Sequence, residues 1–370
     1  GPIPPKLRAA MRFVAAANNG AEAAARIAQA DYERAGGNAA EWERLRAGDY
    51  AEREGAERLA LEFALQMTVD SAGVTDEQFT KLVAEYGERC AASMVLLLAY
   101  ANFQDRLFLC LGDSGESAAP LPPTEIVFDK AHFAASTTAP PPRPASTEAV
   151  LPEKPFGADD PEWGAEGYDE LKKRMEEQCA KPTRLPIPDW ETCAKNLPEG
   201  LISRPNKITW YRIVFGYAAE LAVPFEYFMR TTAAEAAGKW DRLFANSLFW
   251  VTTKAIDCPY CMGHCMMNFE VAGLRPDEIE ARTRILASGD WSNFPAREQR
   301  AFAFARKLTR APQQVDRVDI DALRADFGDE AALIVMLNAC RYHYMTRISN
   351  GFQLTLEREN VFFDYYNVKR

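Results

Sequence analysis

Asp257-Cys258-Pro259-Tyr260-Cys261-Met262-Gly263-His264-Cys265 sets three thiols and an imidazole within eight residues, and its reading as helix decides the fold class. Wound at roughly 100° per residue, Cys258, Cys261, His264 and Cys265 share one helical face about 120° wide. Asp257 is a good N-cap, and Pro259 is tolerated in a first turn. The run continues to Gly273, a plausible C′ residue ahead of Pro276. Cys258 then falls in the first turn, where unpartnered N–H groups and the positive end of the helix dipole favour a thiolate.

Three chemistries fit such a face. A redox dithiol would cycle Cys258 and Cys261 between thiols and a disulfide. A metal site, for zinc or copper, would use Cys258, Cys261, His264 and Cys265. Thioethers at Met262, Met266 and Met267 would suit a soft ion, but four ligands from one helix project to one side and surround an ion poorly. A scaffold would keep the cysteines as small buried apolar groups. Cys-x-x-Cys at a helix start favours the redox reading, which requires no cofactor.

Working outward, the sequence repeats. Gly48 to Arg106 aligns without gaps to Gly289 to Arg347 at an offset of 241, pairing Phe63-Ala64 with Phe304-Ala305, Gly87 with Gly328 and Arg106 with Arg347. Upstream the offset becomes 237, and Cys258, Cys261, His264 and Cys265 face Ala21, Ala24, Ile27 and Ala28. One copy carries the chemistry and the other lacks it. Both are rich in helix formers, and the apolar runs Met94 to Tyr100 and Ala331 to Leu337 suit buried helices. An all-α fold follows, a tandem duplicated bundle. Residues 1–113 form the degenerate repeat, 114–160 a Pro-rich linker, and 161–370 the repeat with the motif. Ile208 to Ala236 reads as an aromatic-rich helical segment broken near Pro224.

The 370 residues carry a net charge of −10. This argues against nucleic-acid or anionic-membrane partners, which would repel the surface. No run reaches the ~20 apolar residues of a membrane span. Eight dispersed cysteines do not form the framework of a small secreted domain, so a cytoplasmic location is expected. Gly1-Pro2 resembles the scar of a tag-removing protease, which leaves room for a signal peptide upstream.

With repeat and motif in hand, the chain resembles the alkylhydroperoxidase D-like, or carboxymuconolactone decarboxylase-like, superfamily. The likeness lies in Cys258-Pro259-Tyr260-Cys261-Met262-Gly263-His264, in Phe269 to Leu274 and in Arg300 to Thr309. It implies an all-α oligomeric peroxidase in which Cys261 attacks a hydroperoxide or disulfide substrate and Cys258 resolves it. A separate thiol reductant then restores both. The family's relay histidine position is Cys265 here and its acidic position is Asn246. His264 or His343 is therefore expected as the base, and Cys265 as a second resolving thiol. Arg347, having a counterpart in Arg106, is expected to hold an ion pair or a helix end.

Overall fold

The computed structural model describes residues 2–48, 50, 53, 55–112, 163–202, 205–236 and 241–368, and these contain helices and no strand. The first group is α1 (Pro5–Asn19), α2 (Glu22–Arg34), α3 (Ala39–Arg46), α4 (Gly55–Val69), α5 (Asp76–Tyr86) and α6 (Glu88–Leu111). An intervening group comprises α7 (Tyr168–Gln178), α8 (Trp190–Lys195), α9 (Thr209–Tyr217) and α10 (Ala219–Ala236). The last is α11 (Arg242–Ile256), α12 (Pro259–Val271), α13 (Pro276–Ser288), α14 (Ala296–Arg310), α15 (Arg317–Phe352) and α16 (Phe362–Tyr366). The expected linker, 114–160, lies outside the described residues, and so does His132.

Helix bounds recur along the chain. α1 and α2 begin and end 237 residues before α11 and α12 (5 to 242, 19 to 256, 22 to 259, 34 to 271). α4 stands 241 before α14 (55 to 296, 69 to 310), and single 3-10 turns follow each, Ser71–Gly73 and Pro312–Gln314. Gly87 separates α5 from α6 at φ 78°, ψ 158°, and Gly328 interrupts α15 at φ 75°, ψ 163°. Only glycine enters that region at low cost, so both turns depend on the missing Cβ. Local caps fix the starts: Thr75 accepts from the Gln78 N–H, and Asp316 forms a capping box with Asp319.

α6 packs along the last part of α15, and their arginines are exchanged. Arg106 on α6 donates through Nε to the Leu308 carbonyl (3.1 Å) and through Nη2 to that of Thr309 (3.5 Å), at the C-terminal end of α14. Arg347 on α15 donates through Nε to the Met67 carbonyl (3.2 Å) and through Nη2 to that of Thr68 (3.0 Å), at the end of α4. Both side chains are buried. Each guanidinium thus occupies the negative end of a helix in the other group, filling carbonyls that helix geometry leaves open. The expectation of a helix end for Arg347 matches this geometry. One hydrophobic core runs through all three groups, from Met11 and Phe63 through Phe215 to Trp250 and Phe302.

Two local expectations differ. The break in the aromatic segment falls at Ala218 (φ −145°, ψ 46°), not at Pro224, which continues inside α10. α6, in turn, is long and apolar enough to cross a membrane, although the sequence reading found no such run. Most of it is buried within this bundle, as a core helix must be.

Replacing Arg347 with Met leaves the Met67 and Thr68 carbonyls without donors inside the core. The expected outcome is a loss of about 3 kcal/mol in stability, read from the urea midpoint at unchanged m-value.

Candidate functional site

α12 begins one residue later than its sequence suggests. Asp257 is in the left-handed region (φ 64°, ψ 61°) and closes α11 as its C-cap, so Cys258 becomes the N-cap of α12. Gly20 does the same between α1 and α2 at φ 70°. Aspartate is one of the few side chains that tolerate this conformation. Its carboxylate is free of capping and pairs instead with Arg174 of α7.

Burial then separates the three thiols. Cys258 and Cys265 are fully buried, and Cys261 is 3% exposed. Cys261 Sγ donates to Ser349 Oγ on α15 (3.3 Å), which itself donates to the Met345 carbonyl (3.0 Å). Burial, then contact with the Cys261 sulfur, pushes the Cys258 thiol well above its ordinary pKa. The expected activation of Cys258 by the helix start is therefore reversed: with no water on its sulfur, desolvation of the anion outweighs the dipole. Burial, then the neighbouring Cys261, likewise pushes Cys265 up, and the Cys265 thiol also meets Thr253 on the α11 side.

His264 has an acidic partner that the sequence did not reveal. Its Nε2 lies 2.6 Å from Glu357 Oε2, on the chain between α15 and α16. Glu357 Oε1 also accepts from the Thr209 N–H (2.6 Å) and the Tyr260 hydroxyl (3.2 Å). Burial alone would raise this carboxyl, but His264 and the Thr209 N–H overcome it and hold the pKa at about 2. A carboxylate that accepts from Nε2 places the proton there and leaves Nδ1 as the basic nitrogen. The segment carrying Glu357 is tied down by Leu356 N–H to the Gln178 carbonyl (3.2 Å) and by Gln178 Nε2 to that of Leu354 (2.8 Å).

Cys261, Ser349 and His264 line a cavity of about 220 Å³. Its walls come from α9 and α10 through Trp210, Tyr211 and Met229, from α11 through Phe249, and from α16 through Phe362. At the cavity Glu226 of α10 receives Arg230 Nε on Oε1 (2.7 Å), while its Oε2 is buried without a hydrogen-bond partner.

His343 does not join this site. It is fully buried, with Nε2 3.1 Å from Thr309 Oγ1 and Nδ1 2.7 Å from Arg347 Nη1. Burial, then the Arg106 and Arg347 charges, press its pKa well below 6.5. Asn102 fills the equivalent place, bonding Arg106 Nη1 (2.9 Å) and Thr68 Oγ1 (3.4 Å). The base role expected of His343 is corrected to a structural one, because Nδ1 meets Arg347, Nε2 meets Thr309, and the residue does not line the cavity of Cys261. Cys340 meets Cys110 rather than the α12 cluster. Asn246 bonds its own helix at the Arg242 carbonyl.

All eight cysteines are free, and Cys179 and Cys193 hydrogen-bond separate carbonyls, of Met175 and Arg212. Among the described residues no group of three or more His, Cys, Asp or Glu side chains is arranged to hold a metal ion. The alternative zinc or copper set of Cys258, Cys261, His264 and Cys265 therefore does not assemble: His264 turns to Glu357 while Cys265 turns to α11. Comparison with known proteins adds no relative, since no family model, curated protein or solved structure matches the chain.

The Glu357 carboxylate yields a pH prediction. Its folded-state pKa is depressed from 4.5 to about 2, so its contribution is complete above about 4.5 and fades as pH falls through about 2. Acid titration followed by circular dichroism should show about 3 kcal/mol of stability lost over that window, and Glu357→Gln should remove that part of the slope. His343→Asn, which copies Asn102, should change stability by less than about 1 kcal/mol.

Proposed function

We propose that the chain is a thiol peroxidase of the alkylhydroperoxidase D-like type, with its chemistry in the last helical group and a first group that lost it. One observation carries the reading: of the α12 thiols, Cys261 alone lines the cavity, with His264 beside it and Cys258 buried directly behind. A nucleophile must reach substrate, whereas a resolving thiol needs only to reach the nucleophile.

The chemistry proposed runs in this order. His264, oriented by Glu357, takes the Cys261 proton on Nδ1, and Ser349 Oγ turns its hydrogen toward the thiolate. The thiolate attacks the terminal oxygen of a hydroperoxide. An S–O bond forms, the O–O bond breaks, and the leaving alkoxide takes the proton from His264. Cys261 is now a sulfenic acid. The Cys258 sulfur displaces hydroxide from it, forming the Cys258–Cys261 disulfide and releasing water. An external dithiol reduces the disulfide by exchange and becomes oxidised itself. A raised Cys258 pKa suits this order, because the resolving thiol stays protonated until the sulfenic acid forms.

The test is mass spectrometry after one equivalent of an organic hydroperoxide. The expected product is the protein less two hydrogens, with Cys258 and Cys261 in one linked peptide. In Cys258→Ser the sulfenic acid at Cys261 should accumulate and be trapped by dimedone. Cys261→Ser should not react, and His264→Asn should slow the first step by about 10²-fold. Peroxide-indifferent thiols in the native protein would remove the reading.

A further inference from the structure

Glu226 and Arg341 stand at the cavity, each with one buried polar atom unpaired. Glu226 is 1% exposed and lies within a run of aromatic residues, Phe225-Glu226-Tyr227-Phe228. Its Oε2 and the Arg341 Nε are both buried and have no hydrogen-bond partner, and both residues line the cavity. Leaving buried polar atoms unpaired costs about 1–3 kcal/mol each, so an arrangement that keeps two of them beside a cavity is expected to be completed by something that enters it. Apart from Arg230 and the Cys261, His264 and Ser349 group, the lining is apolar or aromatic, chiefly Trp210, Tyr211, Phe249 and Phe362. An apolar cavity of about 150 Å³ accepts a benzene ring, so the 220 Å³ here takes a ring or branched chain together with a short polar arm.

We propose that Glu226 and Arg341 form a recognition site for a carboxyl group, and that the cavity binds a small monocarboxylic acid whose apolar part lies among these aromatic walls. A carboxyl group carries what both atoms lack. One oxygen accepts from Arg341 Nε–H, and the other shares a single proton with Glu226 Oε2. The negative charge left on the carboxyl pair faces the guanidinium groups of Arg341 and Arg230, the latter already held by Glu226 at 2.7 Å. An alcohol must serve both atoms from a single oxygen and lacks the short, charge-assisted bond of two carboxyl groups sharing a proton, and an amine would add a third cation. Combined with the thiol chemistry above, on which this step rests, the substrate class becomes a hydroperoxide bearing a carboxylic acid.

Calorimetric titration of the full chain with hydrocinnamate, its alcohol and its amine tests the site without peroxide, so it is independent of whether the thiols react. The acid should bind about tenfold or more tightly than the alcohol, with the amine weakest. Arg341→Gln should weaken the acid by about tenfold and leave the alcohol within about twofold. Affinity of the native protein for the acid should fall as pH rises, because a proton is shared with Glu226, and Glu226→Gln, whose amide donates without that proton, should flatten the dependence. Equal binding of acid and alcohol, preference for the amine, or no binding of any of the three by the native protein would overturn the proposal. The last result would leave ordered water as the partner of both atoms.

Discussion

Two buried guanidinium groups are the constraint on which the rest of the bundle depends. A charge removed from water must find compensation in the fold. Arg106 and Arg347 find it in the terminal carbonyls of helices that belong to the other half of the chain. Neither α4 nor α14 is completed within its own group. The reciprocity has the form of an isologous dimer interface placed in one polypeptide, in which residue i meets j and j meets i. Asn102 and His343 orient the arginines from equivalent positions, and the fold uses the histidine as a neutral amide-like bridge. That use of an imidazole removes it from proton chemistry.

Around this symmetric frame the site is asymmetric, and each part comes from outside the repeated pattern or from its divergence. α12 supplies Cys258, Cys261 and His264 where α2 has Ala21, Ala24 and Ile27. The intervening helices α9 and α10 supply aromatic walls and Glu226, and the segment after α15 supplies Glu357. The frame positions α12, and the added segments close over the face that carries Cys261 and His264. Both carboxylates are buried, yet their environments push them apart. Glu357 accepts three hydrogen bonds and lies low, whereas burial raises Glu226 despite Arg230.

The all-α class was legible because Gly87 and Gly328, Arg106 and Arg347, and the alanine-rich helices stand at constant offsets. Those positions answer to backbone geometry and core packing, which local sequence records. The shared face of α12 was legible for the same reason, since helical periodicity alone places Cys258 and Cys261 together. Asp257 was misread because capping preference and tolerance of the left-handed region favour the same residue type at adjacent places. Glu357 left no local signal, being 93 residues from His264 in a stretch with no helical period. Glu226 did leave one: an acid in the middle of an aromatic run is an expensive placement that invites a reason.

The separation of 93 residues between His264 and Glu357 bears on biogenesis. During synthesis α12 emerges almost a hundred residues ahead of the carboxylate that fixes His264, and its cradle at Gln178 is older still. At about 5–20 residues per second, the thiols spend roughly 5–20 s on the ribosome without their acid. Nascent chains are therefore made in a state whose cysteines precede the carboxylate that orients His264. The Glu357 segment is therefore the last of these parts to join the site.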